Sequence, residues 1–194
     1  EWIENENGLH EGLEKLSEAA YTYNGWFIKD FIKESLVNIA EMLNKEALEA
    51  FCKNIPEPKQ QKTVAIIMAG NIPLVGFHDL MCVLLSGHKI LVKLSSDDNV
   101  LMPFFIKLLE HYEPAISNQI SFSTGKLSDF DAVIATGSNN TSKHFEYYFS
   151  KYKNIIRRNR NSMAILTGNE TKEDIENLGH DIFDYFGLGC RNVS

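Results

Sequence analysis

The stretch Thr63-Val64-Ala65-Ile66-Ile67-Met68, continued by Ala69-Gly70-Asn71-Ile72-Pro73-Leu74, decides the fold class of this 194-residue chain. A short apolar run that enters a glycine-containing loop and then a helical pattern is typical of a strand and its crossover helix in a parallel sheet. The same alternation continues along the chain, so we predict an α/β fold: five or six strands in a mostly parallel sheet, with helices on both faces. The further predicted strands are Lys89–Leu94, Ile120–Ser123, Ala132–Thr136, Asn154–Arg157 and Met163–Leu166, and the predicted helices lie near Val75–Leu85, Val100–Tyr112, Thr141–Tyr152 and Lys172–Tyr185.

A small helical segment precedes the sheet. Apolar residues recur at three- and four-residue steps between Leu9 and Lys53, with the turn Asn24-Gly25 as an interruption. The polar, proline-containing connector Ile55–Gln61 follows. We therefore divide the chain near Pro56 into a helical lead-in, residues 1–55, and an α/β domain, residues 56–194. The chain starts without Met and stops just after a glycine-rich turn, so we expect a C-terminal part to be missing.

The charge, the apolar runs and the spacing of cysteines and histidines argue against several classes of binding partner. The sequence has 19 Lys plus Arg against 26 Asp plus Glu, a net charge of −7, and an acidic surface repels nucleic-acid phosphates. Its longest apolar runs are far shorter than the ~20 residues that span a bilayer. Three cysteines without CxxC spacing and six histidines without HxH or HExxH spacing give no metal pattern. We expect a cytoplasmic protein with no nucleic-acid partner, no membrane span and no metal.

The loops that follow the strands are the predicted ligand-binding positions, because ligands of parallel α/β sheets bind beyond the carboxyl ends of the strands. Three such loops are Ala69–Leu74, Leu94–Asp98 and Thr136–Asn140. In the third, Gly137 lets an anion approach the main chain, and Ser138 caps the next helix and offers a hydroxyl. The alternative is an ordinary strand-to-helix turn, and the GxGxxG dinucleotide pattern does not occur.

Asn71 and Lys93 are candidate polar groups at the same edge. The amide N–H of Asn71 could polarise a substrate carbonyl, since an oxyanion site needs a neutral donor on rigid backbone. The alternative is an asparagine that stabilises its own turn. Lys93 ends a predicted strand and suits a ribose or phosphate partner, with a solvated lysine as the alternative.

Cys190 is the candidate nucleophile. It lies in Phe186-Gly187-Leu188-Gly189-Cys190-Arg191, where the glycines give access and Arg191 favours the thiolate. The alternative is a small buried hydrophobic residue, which is the interpretation that we give to Cys52 and Cys82.

The order of these features resembles the aldehyde dehydrogenase superfamily, and within it the acyl-CoA reductases of the LuxC type. The resemblance extends from about Asn24 to Ser194, and it is carried by Gly70–Leu74, Gly87–Ser96, Ala135–Ser138, Arg158–Ser162 and Gly187–Ser194. It implies a Rossmann-like, nucleotide-binding cofactor domain over residues 56–194 that ends at the nucleophile loop. The missing C-terminal part would hold the rest of the catalytic site, and the isolated piece would be inactive.

The resemblance also implies a role for each candidate residue. Cys190 takes the acyl group as a thioester, and Asn71 helps to hold the oxyanion. Lys93 binds the adenosine ribose or its phosphate. The pair Gly137-Ser138 lines the cofactor pyrophosphate, and Pro73 belongs to the loop beneath the nicotinamide end.

Two departures from the superfamily pattern refine the implied chemistry. Ser96, next to Ser95 in the cofactor loop, stands where a ribose-binding acid is common, and a small neutral side chain there favours NADPH over NADH. The stretch Ile155–Arg160 has no carboxylate where hydrolytic relatives have a water-activating glutamate. The absence of that base suits a thioester that must meet hydride or thiol before water.

The implied enzyme is an NADPH-dependent acyl-CoA reductase, an oxidoreductase that forms a fatty aldehyde through a cysteine thioester. Its expected partners are an acyl-CoA or acyl-thioester substrate, with a second copy of the chain or an acyl-donating protein beside it. The alternatives are a catalytically silent nucleotide- or acyl-binding domain of the same fold, and a related reductase that acts on an acyl phosphate.

Overall fold

The computed structural model describes residues 9–189, 192 and 193. Three helices come first: α1 (Leu9–Tyr23), α2 (Lys29–Met42) and α3 (Lys45–Cys52). The elements that follow are β1 (Thr63–Ile67), α4 (Phe77–Leu85), β2 (Lys89–Lys93), α5 (Leu101–Tyr112), β3 (Ile120–Phe122), β4 (Ala132–Thr136), α6 (Asn139–Phe149), β5 (Lys153–Arg157) and α7 (Lys172–Phe183). Short 3₁₀ segments cover Pro114–Asn118 and Asp184–Gly187. Within the described residues, no helix combines the length and the apolar character needed to cross a membrane.

The five strands form one all-parallel sheet in the order β3-β2-β1-β4-β5. β1 is the central strand, and its residues Val64, Ala65 and Ile66 are buried. A strand that is covered on both faces needs a continuous apolar run rather than an alternating one, which is the pattern of Thr63–Met68. The predicted α/β fold with a parallel sheet is confirmed.

Helices cover both faces of the sheet, as predicted. One hydrophobic core joins Val64 and Val92 of the sheet to residues of α1, α2, α4 and α5. A smaller core on the opposite face joins Ala65 and Ala135 to Phe145 of α6. The helical lead-in therefore packs on the same side of the sheet as α4 and α5 and shares their core.

The prediction of a strand at Met163–Leu166 is wrong. Ser162 makes an isolated parallel bridge with Val193, but the residues that follow it join no described strand. Met163 is 80% exposed and Ile165 is 81% exposed. An apolar run becomes a strand only where a neighbour satisfies its backbone N–H and C=O groups along its length, and apolar composition alone does not supply that neighbour.

Candidate functional site

Three of the predicted ligand loops lie side by side at the carboxyl edge of the sheet. The strand order places β1 between β2 and β4, and Ile67 at the end of β1 is in register with Lys93 and Ala135. Because parallel strands all end at the same edge, the loops after these three strands are neighbours. The structure thereby brings to one edge the candidate residues Asn71, Pro73, Lys93, Ser95, Ser96, Gly137 and Ser138.

The loops after β1 and β2 are packed tightly against each other. A Cβ atom built on Gly70 would lie 2.6 Å from Ser95 Oγ and 3.0 Å from the backbone nitrogen of Asp98, so a side chain at position 70 would push the two loops apart. Beyond Gly70, Asn71 is exposed at the edge, whereas Pro73 is buried beneath it. The exposed amide of Asn71 is thus carried by a loop that is closely packed at Gly70 and Pro73.

Asp98 forms a hydrogen bond with Leu74, the last residue of the loop Ala69–Leu74. Its Oδ2 accepts a hydrogen bond of 3.0 Å from the backbone N–H of Leu74, which is itself 2% exposed and has the left-handed φ of 57°. Asp98 is 5% exposed, and its Oδ1 has no hydrogen-bond partner among the described residues. Burial raises the pKa of this carboxyl group, although the N–H groups of Leu74 and the first turn of α5 act in the opposite direction.

Sequence reasoning did not single out Asp98. An available signal was an aspartate just ahead of a predicted helix, which is typical of a capping residue. The bond to Leu74 joins two residues 24 positions apart, so no local pattern could have revealed it.

The loop after β4 leads directly into the N-terminus of α6. Ser138 is the N-cap residue, and its Oγ accepts a hydrogen bond of 3.2 Å from the backbone N–H of Thr141. A Cβ on Gly137 would lie 3.1 Å from both Phe145 and Thr141, so the packing of α6 on β4 already accounts for the glycine. The first residues of α6 are exposed at the ligand edge, and the free N–H groups of a helix N-terminus suit a phosphate group.

Lys93 contacts the connection between β3 and β4. Its Nζ donates a hydrogen bond of 2.8 Å to the backbone oxygen of Gly125. This connection has no helix, and beside it lies an open cavity of about 500 Å³ with a polar lining that includes Ser121, Ser123 and Thr124. A lysine ammonium next to hydroxyl groups can bind a ribose or a phosphate ester.

Ser95 and Ser96 are both hydrogen-bonded to Asp97. Ser95 Oγ accepts from the backbone N–H of Asp97 at 3.2 Å, and Ser96 Oγ donates to Asp97 Oδ1 at 3.3 Å. The exposed carboxylate of Asp97 therefore places a negative charge beside Ser96, which the sequence argument about a neutral position did not consider.

Cys190 and Arg191 lie outside the described residues, but their neighbours on both sides are placed. A Cβ on Gly189 would lie 3.6 Å from Cδ1 of Ile72, the residue after Asn71. Asn192 is 8% exposed, and its Nδ2 donates to the backbone oxygens of Asp181 and Asp184, both at 3.2 Å, where α7 ends. The flanks of Cys190 are thus fixed between the loop after β1 and the end of α7.

An ion pair ties the end of β5 to α4. The guanidinium of Arg157 is bonded to Asp79, whose side chain is 8% exposed. Burial and the nearby Asp79 raise the pKa of the Cys82 thiol, so this cysteine stays protonated near neutral pH. Cys82 in α4 and Cys52, the last residue of α3, are both half-buried free thiols.

Solved structures with the same fold include aldehyde dehydrogenases. The NAD+ complex of an aldehyde dehydrogenase from Bacillus cereus matches with a TM-score of 0.68 and 17% identity, over 94% of this chain and 42% of that one. An NAD-dependent benzaldehyde dehydrogenase from Corynebacterium glutamicum matches with a TM-score of 0.67 and 18% identity, over 95% of this chain and 47% of that one. The chain thus spans less than half the length of these two enzymes. A search of curated proteins finds no match.

The chain therefore has the fold of these dehydrogenases over most of its length. Its family is also shown, because the model of the acyl-CoA reductase (LuxC) family matches residues 8–191. The chain belongs to the LuxC acyl-CoA reductase family. This confirms the resemblance drawn from the sequence.

Proposed function

We propose that the whole natural protein reduces an acyl-CoA, or another acyl thioester, to the aldehyde through a thioester on Cys190. The observation that supports the proposal is the approach of Gly189 to Ile72, since a Cβ on Gly189 would lie 3.6 Å from Cδ1 of Ile72. The chain just before the candidate nucleophile is therefore close to the loop that presents Asn71 at the ligand edge. Acyl transfer requires a thiol nucleophile and an N–H donor for the oxyanion, and in this proposal Cys190 and Asn71 would supply these two groups.

In the first step the thiolate of Cys190 attacks the carbonyl carbon of the acyl thioester, and Asn71 donates an Nδ2–H to the oxyanion that forms. The bond between that carbon and the CoA sulfur then breaks, so CoA leaves as a thiolate and takes a proton from water. A bound nicotinamide cofactor would supply the hydride that the same carbon then needs. The bond to Cys190 breaks as the carbonyl reforms, which releases the aldehyde and restores the thiolate.

Residues at the ligand edge would hold the cofactor in this proposal. The N-terminus of α6 with Ser138 would bind the pyrophosphate, and Lys93 with Ser95 and Ser96 would bind the adenosine ribose. Pro73 would lie beneath the nicotinamide end. The neutral Ser96 supports NADPH, whereas the carboxylate of Asp97 would favour the two ribose hydroxyls of NADH, so the two cofactors should be compared directly.

The sequence at the end of β5 supports reduction rather than hydrolysis, because the stretch Ile155–Arg160 has no carboxylate of its own. Hydrolysis of the thioester needs a base that activates water. At this edge the stretch Ile155–Arg160 offers two arginine side chains already bound to carboxylates, Arg157 to Asp79 and Arg158 to Glu146. An intermediate without such a base lives long enough to receive the hydride.

The test is intact-mass and peptide analysis of the whole natural protein after incubation with a long-chain acyl-CoA and no cofactor. We expect one acyl adduct on Cys190, lost in Cys190→Ser and kept in the matched control Cys82→Ser. Added NADPH should remove the adduct and release aldehyde faster than NADH does. Cofactor binding without an adduct from any acyl thioester would overturn the proposal in favour of a silent binding domain or an acyl phosphate substrate.

A further inference from the structure

We infer that the helical lead-in positions the nucleophile loop through an aromatic clamp, defined here as Trp26 and Phe31 against Tyr185 and Phe186. This inference rests on the proposed function, because it assigns the clamp a role in presenting Cys190. The lead-in would then be part of the catalytic apparatus, as a positioning element and not only as a cover for the sheet.

The clamp makes three ring contacts and is joined by a hydrogen bond. The ring centroid of Phe31 lies 4.9 Å from that of Tyr185 and 4.9 Å from that of Phe186. The Trp26 ring meets Phe186 edge-on, with centroids 5.3 Å apart. The hydroxyl of Tyr185 lies 3.1 Å from Ser35 Oγ of α2, within hydrogen-bond distance. Edge-to-face rings at these separations fix orientation as well as distance.

The clamp contacts a backbone segment, Tyr185 and Phe186, whose conformation is unfavourable without support from its surroundings. Tyr185 and Phe186 have φ values of 53° and 56°, in the left-handed region that bulky L residues avoid. Two such residues in succession persist only where the surroundings hold them. Three ring contacts and one hydrogen-bond contact to these side chains come from the lead-in, from Trp26, Phe31 and Ser35.

The segment Tyr185–Phe186, which the clamp contacts, lies shortly before Cys190 in the chain and so influences the direction in which the chain approaches it. Gly187 and Gly189 follow with φ values of 74° and 106°, and Leu188 between them is extended, so the chain from Tyr185 to Gly189 is a succession of sharp changes of direction just before Cys190. On the far side, Asn192 fixes the chain to the end of α7. A change in the clamp would therefore be transmitted to the short span that contains Cys190.

The lead-in side of the clamp is itself rigidly placed. Phe27 and Ile32 are each 1% exposed in the core that the lead-in shares with the sheet. Asn24 Nδ2 donates a hydrogen bond of 3.1 Å to the backbone oxygen of Asp97, in the loop after β2. By contrast Trp26 is 56% exposed and Phe186 is 50% exposed, so their contact buries little surface and serves orientation more than stability.

The test compares Phe31→Ala with Phe130→Ala in the whole natural protein. Phe130 is a matched control, since its ring contacts Phe149 and Tyr152 in another aromatic trio, with centroids 6.0 Å and 4.4 Å away. A misplacement of about 1 Å costs on the order of 10²-fold in rate, so we expect Phe31→Ala to slow single-turnover acylation of Cys190 by roughly 10- to 100-fold. Cofactor affinity should stay within about twofold of wild type, and Phe130→Ala should acylate at the wild-type rate once only folded protein is counted.

Equal acylation rates in Phe31→Ala and wild type would overturn the inference, as would an equal loss in both variants. If Phe31→Ala does not fold, the half-exposed Trp26→Ala takes its place, and Trp26→Phe should restore the rate. Should the wild-type protein form no acyl adduct, the proposed function fails. The clamp is then decided separately by the alkylation rate of Cys190 with iodoacetamide, which must differ between Phe31→Ala and wild type.

Discussion

Asp98 connects the start of α5 with the loop that carries Asn71 and Pro73. Replacement by Ala removes the acceptor of the Leu74 N–H and leaves that buried donor unpaired. Such a loss costs about 1–3 kcal/mol, so Asp98→Ala should lower the free energy of unfolding in urea by that amount. Asp131 is a control with the same chemistry in an exposed place, since its Oδ2 accepts from the Thr63 N–H at 2.9 Å. A larger loss in Asp131→Ala than in Asp98→Ala would contradict this account.

The raised pKa of Asp98 also predicts a dependence of stability on pH. The folded protein holds the proton of this carboxyl group more tightly than the unfolded chain does, so its contribution to stability is full below the ordinary pKa of 3.8. That contribution falls as the pH rises through the raised value. Asp98→Asn still offers an oxygen to Leu74 but does not titrate. We therefore expect its free energy of unfolding to improve relative to wild type between pH 3.8 and neutrality, and a constant difference would contradict the sign.

A substitution at Gly70 tests how closely the loop after β1 and the loop after β2 must approach each other. In Gly70→Ala the new Cβ would meet Ser95 Oγ at 2.6 Å, Ser95 Cβ at 2.7 Å and the Asp98 nitrogen at 3.0 Å. Overpacking of this kind costs about 1–3 kcal/mol, measurable as a lower urea midpoint. Ser95→Gly in the same chain should restore part of the loss. Gly179→Ala is the control, because nothing lies within 4 Å of a Cβ there and alanine favours α7.

At the level of the elements, the ion pair between β5 and α4 should respond unequally to removal of its two partners. The Asp79 side chain is 8% exposed and that of Arg157 is 35% exposed. Arg157→Met would leave a buried carboxylate without its cation, which costs about 3–5 kcal/mol, whereas Asp79→Asn leaves an arginine that can turn to solvent. The exposed pair of Arg158 and Glu146 serves as the control, with an expected effect of about 0–1 kcal/mol. Equal losses at Arg157 and Asp79 in urea unfolding would contradict this asymmetry.

The elements that could be predicted from the sequence are those whose pattern is local. Thr63–Met68 was expected as a strand and β1 is Thr63–Ile67, because an apolar run between a polar connector and a glycine loop has few other solutions. Met163–Leu166 has the same apolar character but lacks a partner strand among the described residues, and a partner is not encoded in the run itself. The same limit applies to the β3–β4 connection, whose contact with Lys93 depends on chain 32 residues away.

The candidate site likewise has features that could be predicted from the sequence and features that could not. The convergence of the loops that hold Asn71, Lys93 and Ser138 follows from strand order in a parallel sheet and could be predicted. Asp98, Asn192 and the aromatic clamp were missed, since each acts through partners that are far away in sequence. The assigned roles of Cys190, Asn71 and the cofactor residues remain predictions, and Cys190 itself lies outside the described residues.

On the scale of the whole molecule, the boundary near Pro56 separates two patterns of secondary structure that share one core. Ala20, Ile32 and Leu36 of the lead-in are buried in the same cluster as Ile66 of β1 and Leu101 of α5. A helical segment whose apolar face is covered only by the sheet domain has no reason to unfold separately from it.

The sequence contains a direct probe of this coupling, because both of its tryptophans, Trp2 and Trp26, lie in the lead-in. Tryptophan fluorescence of the 194-residue chain therefore reports on the lead-in, while far-ultraviolet circular dichroism reports on all the helices and strands. We expect the two urea transitions to coincide, since loss of the lead-in would expose the part of the core that it shares with the sheet, α4 and α5. Leu36→Ala, a core change in α2 at a residue that is 0% exposed, should shift both midpoints together by the equivalent of about 2–5 kcal/mol. A fluorescence transition that is complete while only part of the circular dichroism signal is lost would show that the lead-in is a separate unit, and a clamp built on it could not then hold the nucleophile loop in place.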